Sequence, residues 1–242
     1  MTALLQVQGL GKRFGGFVAL ADVGFDVAEG ERLGLIGPNG SGKSTLVNCL
    51  CGTLRNESGE VRFAGQKLAA LNAHQRIRRG LARSFHLPRP FGTMTLAENL
   101  RVPILYAVQP RGGARVPDIA RRCTDLLGMV GLADKADRKP ADLTQIEMRK
   151  LELARAMASE PRLLIADEAM AGLSHQEVDE ILALLLRLNA EGVTIIMIEH
   201  IMRAVLAFSQ RLVVLVAGRK IADGDPQAVV REQAVVEAYL GS

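Results

Sequence analysis

The sequence predicts an α/β fold, a core of parallel strands covered by helices and interrupted by a helical insertion. Three observations predict it. The opening third is rich in short alternating or apolar runs, at Leu4 to Gln8, Gly24 to Val27, Arg32 to Ile36 and Glu60 to Phe63. Helical patterns then dominate from about Ala73 to Ala158. Beyond that the chain alternates strand and helix: Leu163 to Ala166, Gln176 to Asn189, Val193 to Ile198, Ile201 to Phe208 and Leu212 to Val216. The three strand runs of this last part are nearly all apolar, as parallel strands covered on both faces must be. With 242 residues and 48% apolar content, the chain suffices for one large domain or a core plus an inserted subdomain.

The run Arg32 to Ile36 leads into Gly37-Pro38-Asn39-Gly40-Ser41-Gly42-Lys43-Ser44, a complete G-x-x-x-x-G-K-[ST] loop, followed by a helix-like run from Thr45 to Leu50. That context makes it a phosphate-binding loop. Its glycines let successive backbone N–H groups turn toward a β-phosphate, Lys43 reaches the β/γ oxygens, and the Ser44 hydroxyl can ligate Mg²⁺. The helix that follows aims its positive end at the same anion. The chain is therefore expected to bind a nucleoside triphosphate.

Leu163-Leu164-Ile165-Ala166-Asp167-Glu168 reads as an apolar strand ending in two carboxylates, which places both at the strand's C-terminal edge beside the phosphate loop. Asp167 is expected in the Mg²⁺ shell. Glu168, one residue on, can polarise a water for in-line attack on the γ-phosphate. The strand Val193 to Ile198 ends in Glu199-His200; taken by itself such a histidine reads more often as a satisfied surface or core group, but at the end of a strand beside the first site it could instead reach the γ-phosphate.

Composition narrows the classes. No apolar stretch approaches the roughly 18 residues of a membrane span, and Met1 to Leu10 lacks the basic lead of a signal peptide. Cys49, Cys51 and Cys123 form neither an even framework nor a metal-ligand spacing; Cys49 and Cys51, on the helix after the phosphate loop, read as small buried thiols, and a reducing compartment fits. The net charge of +4 is unevenly placed, because the stretch from Arg76 to Arg122 carries ten arginines and no lysine against Glu98 and Asp118. That stretch reads either as a solvated basic face or as a contact for an anionic membrane surface or nucleic acid. Its few aromatics (Phe85, Phe91, Tyr106) speak against a base-stacking platform.

Phosphate loop, helical insertion, Asp-Glu strand and strand ending in His, in that order, resemble the ATP-binding subunit of ABC transporters over essentially the whole chain. Several segments look like the branched-chain amino-acid importer branch: Arg13 to Leu20, Ala82 to Phe85 with Pro88 to Phe91, Leu151 to Ala156, Ala171 to Leu173, and Val236 to Gly241. The resemblance implies a P-loop NTPase (RecA-like) core from 1–72 and 156–224 with an N-terminal antiparallel β subdomain. It further implies an inserted α-helical subdomain at 73–155 carrying the signature helix, and C-terminal helices at 225–242. By the same resemblance, Phe14 stacks on adenine and ATP lies on Gly37 through Thr45. Lys43 and Glu168 act in hydrolysis, Asp167 and Ser44 serve Mg²⁺, and His200 is the γ-phosphate switch. Such subunits work as head-to-tail dimers. The implied partners are a second ATP-binding subunit, identical or different, two transmembrane permease subunits and, indirectly, a solute-binding protein. The location is peripheral, at the cytoplasmic face of the cell membrane, and nucleic acid is not expected.

The chain departs from the family pattern in four places. Where the signature helix usually opens with L-S-G-G-Q, it has Leu143-Thr144-Gln145-Ile146-Glu147, so that Thr144 keeps a hydroxyl for the partner's nucleotide but the two glycines are gone. Gln145 and Ile146 add bulk and Glu147 adds negative charge near an anion, while Thr144-x-x-Glu147 also matches a capping box. His86 stands at the position of the glutamine that usually touches the metal or the attacking water. Ala169 stands where proline is common, and Ser174, opening a second capping box, stands where aspartate is common. Three alternatives share these motifs: a lipopolysaccharide-export ATPase, a soluble ABC-type ATPase acting on nucleic acid or the ribosome, and a binding subunit with little hydrolysis. Pro88 to Phe91 favours the importer.

Overall fold

The computed structural model describes residues 3–85, 87–109 and 118–240. Among them, a four-stranded antiparallel sheet is formed by β1 (Ala3–Phe14), β2 (Phe17–Ala28), β4 (Ser58–Phe63) and β5 (Gln66–Lys67), in the order β2-β1-β4-β5. β1 and β2 run past the short apolar stretches that mark them in the sequence. Register shifts between Val7 and Leu10 and on both sides of Lys12 break the alternation, which hides the full length from a period-2 reading.

A second sheet has the order β10-β9-β3-β8-β7-β6. Its strands β3 (Arg32–Ile36), β6 (Leu81–Ser84), β7 (Leu163–Asp167), β8 (Thr194–Ile198) and β9 (Arg211–Val216) are parallel, and β10 (Arg219–Gly224) is antiparallel at one edge. β7 and β8 are buried at every position because both faces are covered. Leu163, Ile165, Ile196 and Ile198 face α1 (Lys43–Cys51) and the antiparallel sheet, whereas Leu164, Ala166, Ile195 and Met197 face α6 (His175–Ala190) and the helical region. α7 (Met202–Phe208), α8 (Pro226–Val229) and α9 (Gln233–Leu240) complete the core, with Val235 of α9 packed in one cluster with Ile36 and Val214.

β6 corrects the expectation of one helical block from Ala73. Leu81–Ser84 is too short to show a period, and its identity as a strand comes from hydrogen bonding to β7, more than eighty positions later, with Ala82 opposite Leu164. α2 (Ala73–Arg78) also belongs to the core side, since Arg76 donates to carbonyls at the end of α1. The helical insertion proper follows Ser84 and contains α3 (Leu96–Pro103), a π-helical turn (Ile104–Val108), α4 (Ile119–Met129) and α5 (Gln145–Met157).

Not every arginine of the arginine-rich stretch is turned to solvent, although Arg79, Arg89, Arg101 and Arg121 are exposed. Arg76 is buried, Arg83 turns inward onto Asp167, and Arg78 donates to the Tyr106 carbonyl; Arg111 and Arg115 lie outside the described residues. No helix among the described residues is long and apolar enough to cross a membrane. Cys49 and Cys123 are buried and Cys51 is half-buried, all as free thiols, with burial pushing the Cys51 thiol up to about 12.

Candidate active site

Because β3, β8, β7 and β6 are parallel neighbours, whatever follows each strand emerges along one edge of the sheet. After β3 comes the loop Gly37 to Ser44, after β8 Glu199 and His200, at the end of β7 Asp167 and Glu168, and after β6 Phe85. Residues spread over more than 160 positions thus share one rim. His86, the next residue after Phe85, lies outside the described residues.

The phosphate loop is wedged between the two sheets. A Cβ on Gly42 would sit 2.7 Å from the Ala19 carbonyl of β2, and Gly42 itself has φ +103°, so this position needs glycine twice over. The Gly218 N–H donates to the Ser41 carbonyl at 2.9 Å, tying the loop to the β9–β10 hairpin. Gly42 caps α1 without a side-chain bond, and the first turn holds no acidic residue. The N–H groups of that turn are left for an anion. Lys43 folds back, donating to the Gly37 carbonyl (2.6 Å), the Pro38 carbonyl (3.0 Å) and the Ser41 hydroxyl (3.3 Å). Burial holds the Lys43 ammonium below its ordinary pKa, against the opposing charges of Glu168 and Asp167. A cavity of about 240 Å³ is lined by Asn39 to Thr45, Phe17, Ala19 and Glu168.

Most of the sequence-predicted residues meet here. Asn39, Gly40, Ser41, Gly42, Lys43, Ser44, Thr45 and Glu168 line the cavity. Gly37 and Pro38 sit behind it and offer carbonyls to Lys43. Phe14 is half exposed at the β1–β2 turn, opposite Phe17, with the Lys12 ammonium 5.4 Å from its ring centre. Glu168 has φ +48°, a left-handed backbone that costs about 1 kcal/mol or more in a non-glycine residue and is held by its N–H bond to the Ile198 carbonyl at 2.9 Å. His200 is largely exposed just beyond β8, and Thr144 is the N-cap at the start of α5.

Four groups escaped the sequence reading. Arg83 donates through Nη2 (2.5 Å) and Nε (3.1 Å) to Oδ2 of the buried Asp167 and through Nη1 (2.8 Å) to the Asn48 side chain of α1. Glu199 is 3% exposed; one oxygen accepts from the Met170 N–H at 2.8 Å, and the buried Oε2 lies 3.8 Å from Nδ1 of His200. Burial pushes the Glu199 carboxyl above the ordinary range. Arg149 of α5 donates to the Ala171 carbonyl at 3.1 Å and faces the charges of Glu199 and Glu168. Tyr239 of α9 meets the Gly37 backbone through its hydroxyl. Only Glu199 carried a sequence signal, through its place beside His200.

The altered signature start is a true helix cap: the Thr144 hydroxyl accepts from the Glu147 N–H and the Glu147 carboxylate from the Thr144 N–H. Ser174 caps α6 in the same way. Glu147, however, is also paired with Lys135, whose hydrogen bond, with that of Thr144, holds the carboxyl below its usual range. The negative charge that the sequence sets against an incoming anion is compensated within the chain. The Gln145 amide lies over Gly172, where a Cβ would come within 2.6 Å of Nε2.

On the other side of β6, a second, apolar cavity of about 250 Å³ is lined by Ile77, Phe85, Phe91, Tyr106, the Arg83 stem and the Glu152–Arg155 pair among others. Phe85, Phe91 and Tyr106 are exposed there.

A family model described as "ABC transporter" matches residues 20–171, and one described as "Branched-chain amino acid ATP-binding cassette transporter" matches residues 219–242. The chain is 36% identical to the high-affinity branched-chain amino acid transport ATP-binding protein BraF of Pseudomonas aeruginosa, over 98% of both chains. It is equally similar, over the same shares, to the LivG protein of that description from Escherichia coli. Among solved structures, the ADP conformation of the ATP-binding cassette MJ1267 superposes with a TM-score of 0.89 at 30% identity, covering 100% of both chains. A nucleotide-free ATP-binding cassette from an ABC transporter does so with a TM-score of 0.88, also at 30% identity and full coverage.

Proposed function

The chain belongs to the family of ABC transporter ATP-binding proteins, and from that premise we propose that it hydrolyses ATP to power an importer for branched-chain amino acids or a related small solute. The observation that carries the importer reading is that the likeness to branched-chain transport ATPases runs end to end, including the C-terminal segment that packs α9 under the phosphate loop.

The chemistry follows from the shared rim. The loop amides and Lys43 hold the β- and γ-phosphates, which requires the ammonium to leave the Gly37 and Pro38 carbonyls for the more strongly charged oxygens. Glu168 lines the same cavity and accepts the proton of the attacking water, while His200 contacts the γ-phosphate. Phe14 receives the adenine. The oxygen donors Ser44 and Asp167 fit Mg²⁺, which takes few protein ligands and fills its shell with phosphate oxygens and water. Mg²⁺, when bound, neutralises charge that develops on the phosphates. Thr144 is not among the residues that line the cavity around Lys43 and Glu168; the site is completed by a second ATP-binding subunit, whose signature helix caps this chain's nucleotide.

The apolar cavity between Phe85, Phe91 and Tyr106 is the dock for a cytoplasmic helix of the permease, which would hold the chain at the membrane face. Purification of the tagged chain from membranes of its own cell in mild detergent, with mass spectrometry of what co-elutes, tests the reading. Polytopic membrane subunits and a solute-binding protein are expected. Recovery only in the soluble fraction with ribosomal or nucleic-acid partners would overturn transport and leave the ATP site standing.

A further inference from the structure

Arg83 joins the two cavities. Both of its N–H groups that reach Asp167 converge on Oδ2, and the pair is largely shielded from water, with side chains 15% and 9% exposed. The third bond, to Asn48, fixes the guanidinium to the phosphate-loop helix. Its carbon centre lies 5.1 Å from the middle of the Phe85 ring, and its stem lines the apolar groove. Asp167 is the carboxylate that serves the divalent cation, so the chain supplies its own cation to the same group. Two positive charges cannot share one buried carboxylate without weakening each other, and at this separation little water intervenes to screen them.

We propose that Arg83 is a positioning residue that sets the strength with which Asp167 attracts Mg²⁺. Arg83 neutralises Asp167 and holds it in place. A hydrated Mg²⁺ served by Asp167 would have to share that carboxylate with the guanidinium, so metal affinity is moderated. The proposal rests on the ATP site described above and not on the transport reading.

The test is fluorescent-ATP binding by the purified full chain, with and without Mg²⁺, comparing wild type with R83Q and R83K. The readout is the Kd without Mg²⁺ divided by the Kd with it. Removing the competing charge in R83Q should raise that ratio at least about fivefold, the lower end of ordinary coupling between sites. R83K, which keeps the charge but not the two-pronged geometry, should fall between R83Q and wild type. A ratio in R83Q within about twofold of wild type, with the variant folded by circular dichroism, overturns the proposal. If R83Q does not fold, R83K decides, and an unchanged ratio there overturns it. Since no permease takes part, failure here and failure of the transport reading are separately visible.

Discussion

Substitution of Arg76 should damage the molecule far more than its place in an arginine-rich stretch suggests. The side chain is 4% exposed and donates to four main-chain carbonyls: Cys49 (2.6 Å), Leu50 (2.7 Å), Leu68 (2.9 Å) and Leu71 (3.0 Å). Cys49 and Leu50 belong to the last turn of α1, so the guanidinium also faces the negative end of the phosphate-loop helix. Gly52 makes room for it: this residue has φ +78°, and a Cβ there would sit 2.7 Å from Nε of Arg76. In R76M the apolar stem is roughly preserved and the four donations are lost. Hydrogen bonds to a charged group contribute about 1.5–3 kcal/mol each, but water reaching the helix end and local relaxation offset much of the sum. The expected loss is about 3–5 kcal/mol, close to 1 kcal/mol for each carbonyl left without its donor. At about 2–4 °C per kcal/mol for a chain of this size, Tm should fall by about 6–20 °C. Thermal denaturation followed by circular dichroism reads the change, and R76K, with fewer donors in a looser geometry, should lie between R76M and wild type. A fall of less than about 2 °C in R76M would show that these carbonyls are satisfied without Arg76 and would refute the reasoning.

In the assembled complex, E168Q should lower ATP hydrolysis by on the order of 10²–10⁴-fold while ATP binding persists, as loss of a general base requires; near-wild-type activity would remove Glu168 from that role. The double substitution Q145G with I146G should raise turnover of the complex several-fold if bulk at the signature start limits contact with the partner's nucleotide, although two glycines in the first turn of α5 should cost about 1 kcal/mol each in stability; unchanged turnover demotes the signature as the limiting element. Glu199 should leave a mark on the pH dependence of stability. Burial raises its carboxyl against the opposing Met170 amide and His200, with Arg149 and Glu168 also facing it. A carboxyl raised in the folded state contributes stability below its unfolded value and loses it as pH rises through the folded value. The Tm difference between E199Q and wild type should therefore shift in favour of the variant as pH climbs from the ordinary carboxylate range through that raised value; parallel curves would show that Glu199 is not perturbed.

What could be read along the chain is what neighbouring residues decide. The phosphate loop needs glycines, a lysine and a hydroxyl at fixed spacing, and these are local properties of eight residues. The same holds for the capping boxes at Thr144 and Ser174, where a side chain bonds a backbone amide three residues away, and for β7 and β8, whose unbroken apolar runs announce burial on both faces. β6 was not legible, because four residues carry no period and their strand character is conferred by β7. The charge pairings were not legible for a related reason: composition counts charges but does not say where they point. Arg76 ends on the carbonyls of α1, Arg83 on Asp167 and Glu147 on Lys135. Each of those pairings joins segments separated in sequence, and in each the energy depends on how much water the fold excludes from the contact. The sequence by itself determined which chemistry the chain can perform; only the tertiary structure decided which charges are already spent on one another, because burial and distance, not residue type, set the strength of an ion pair.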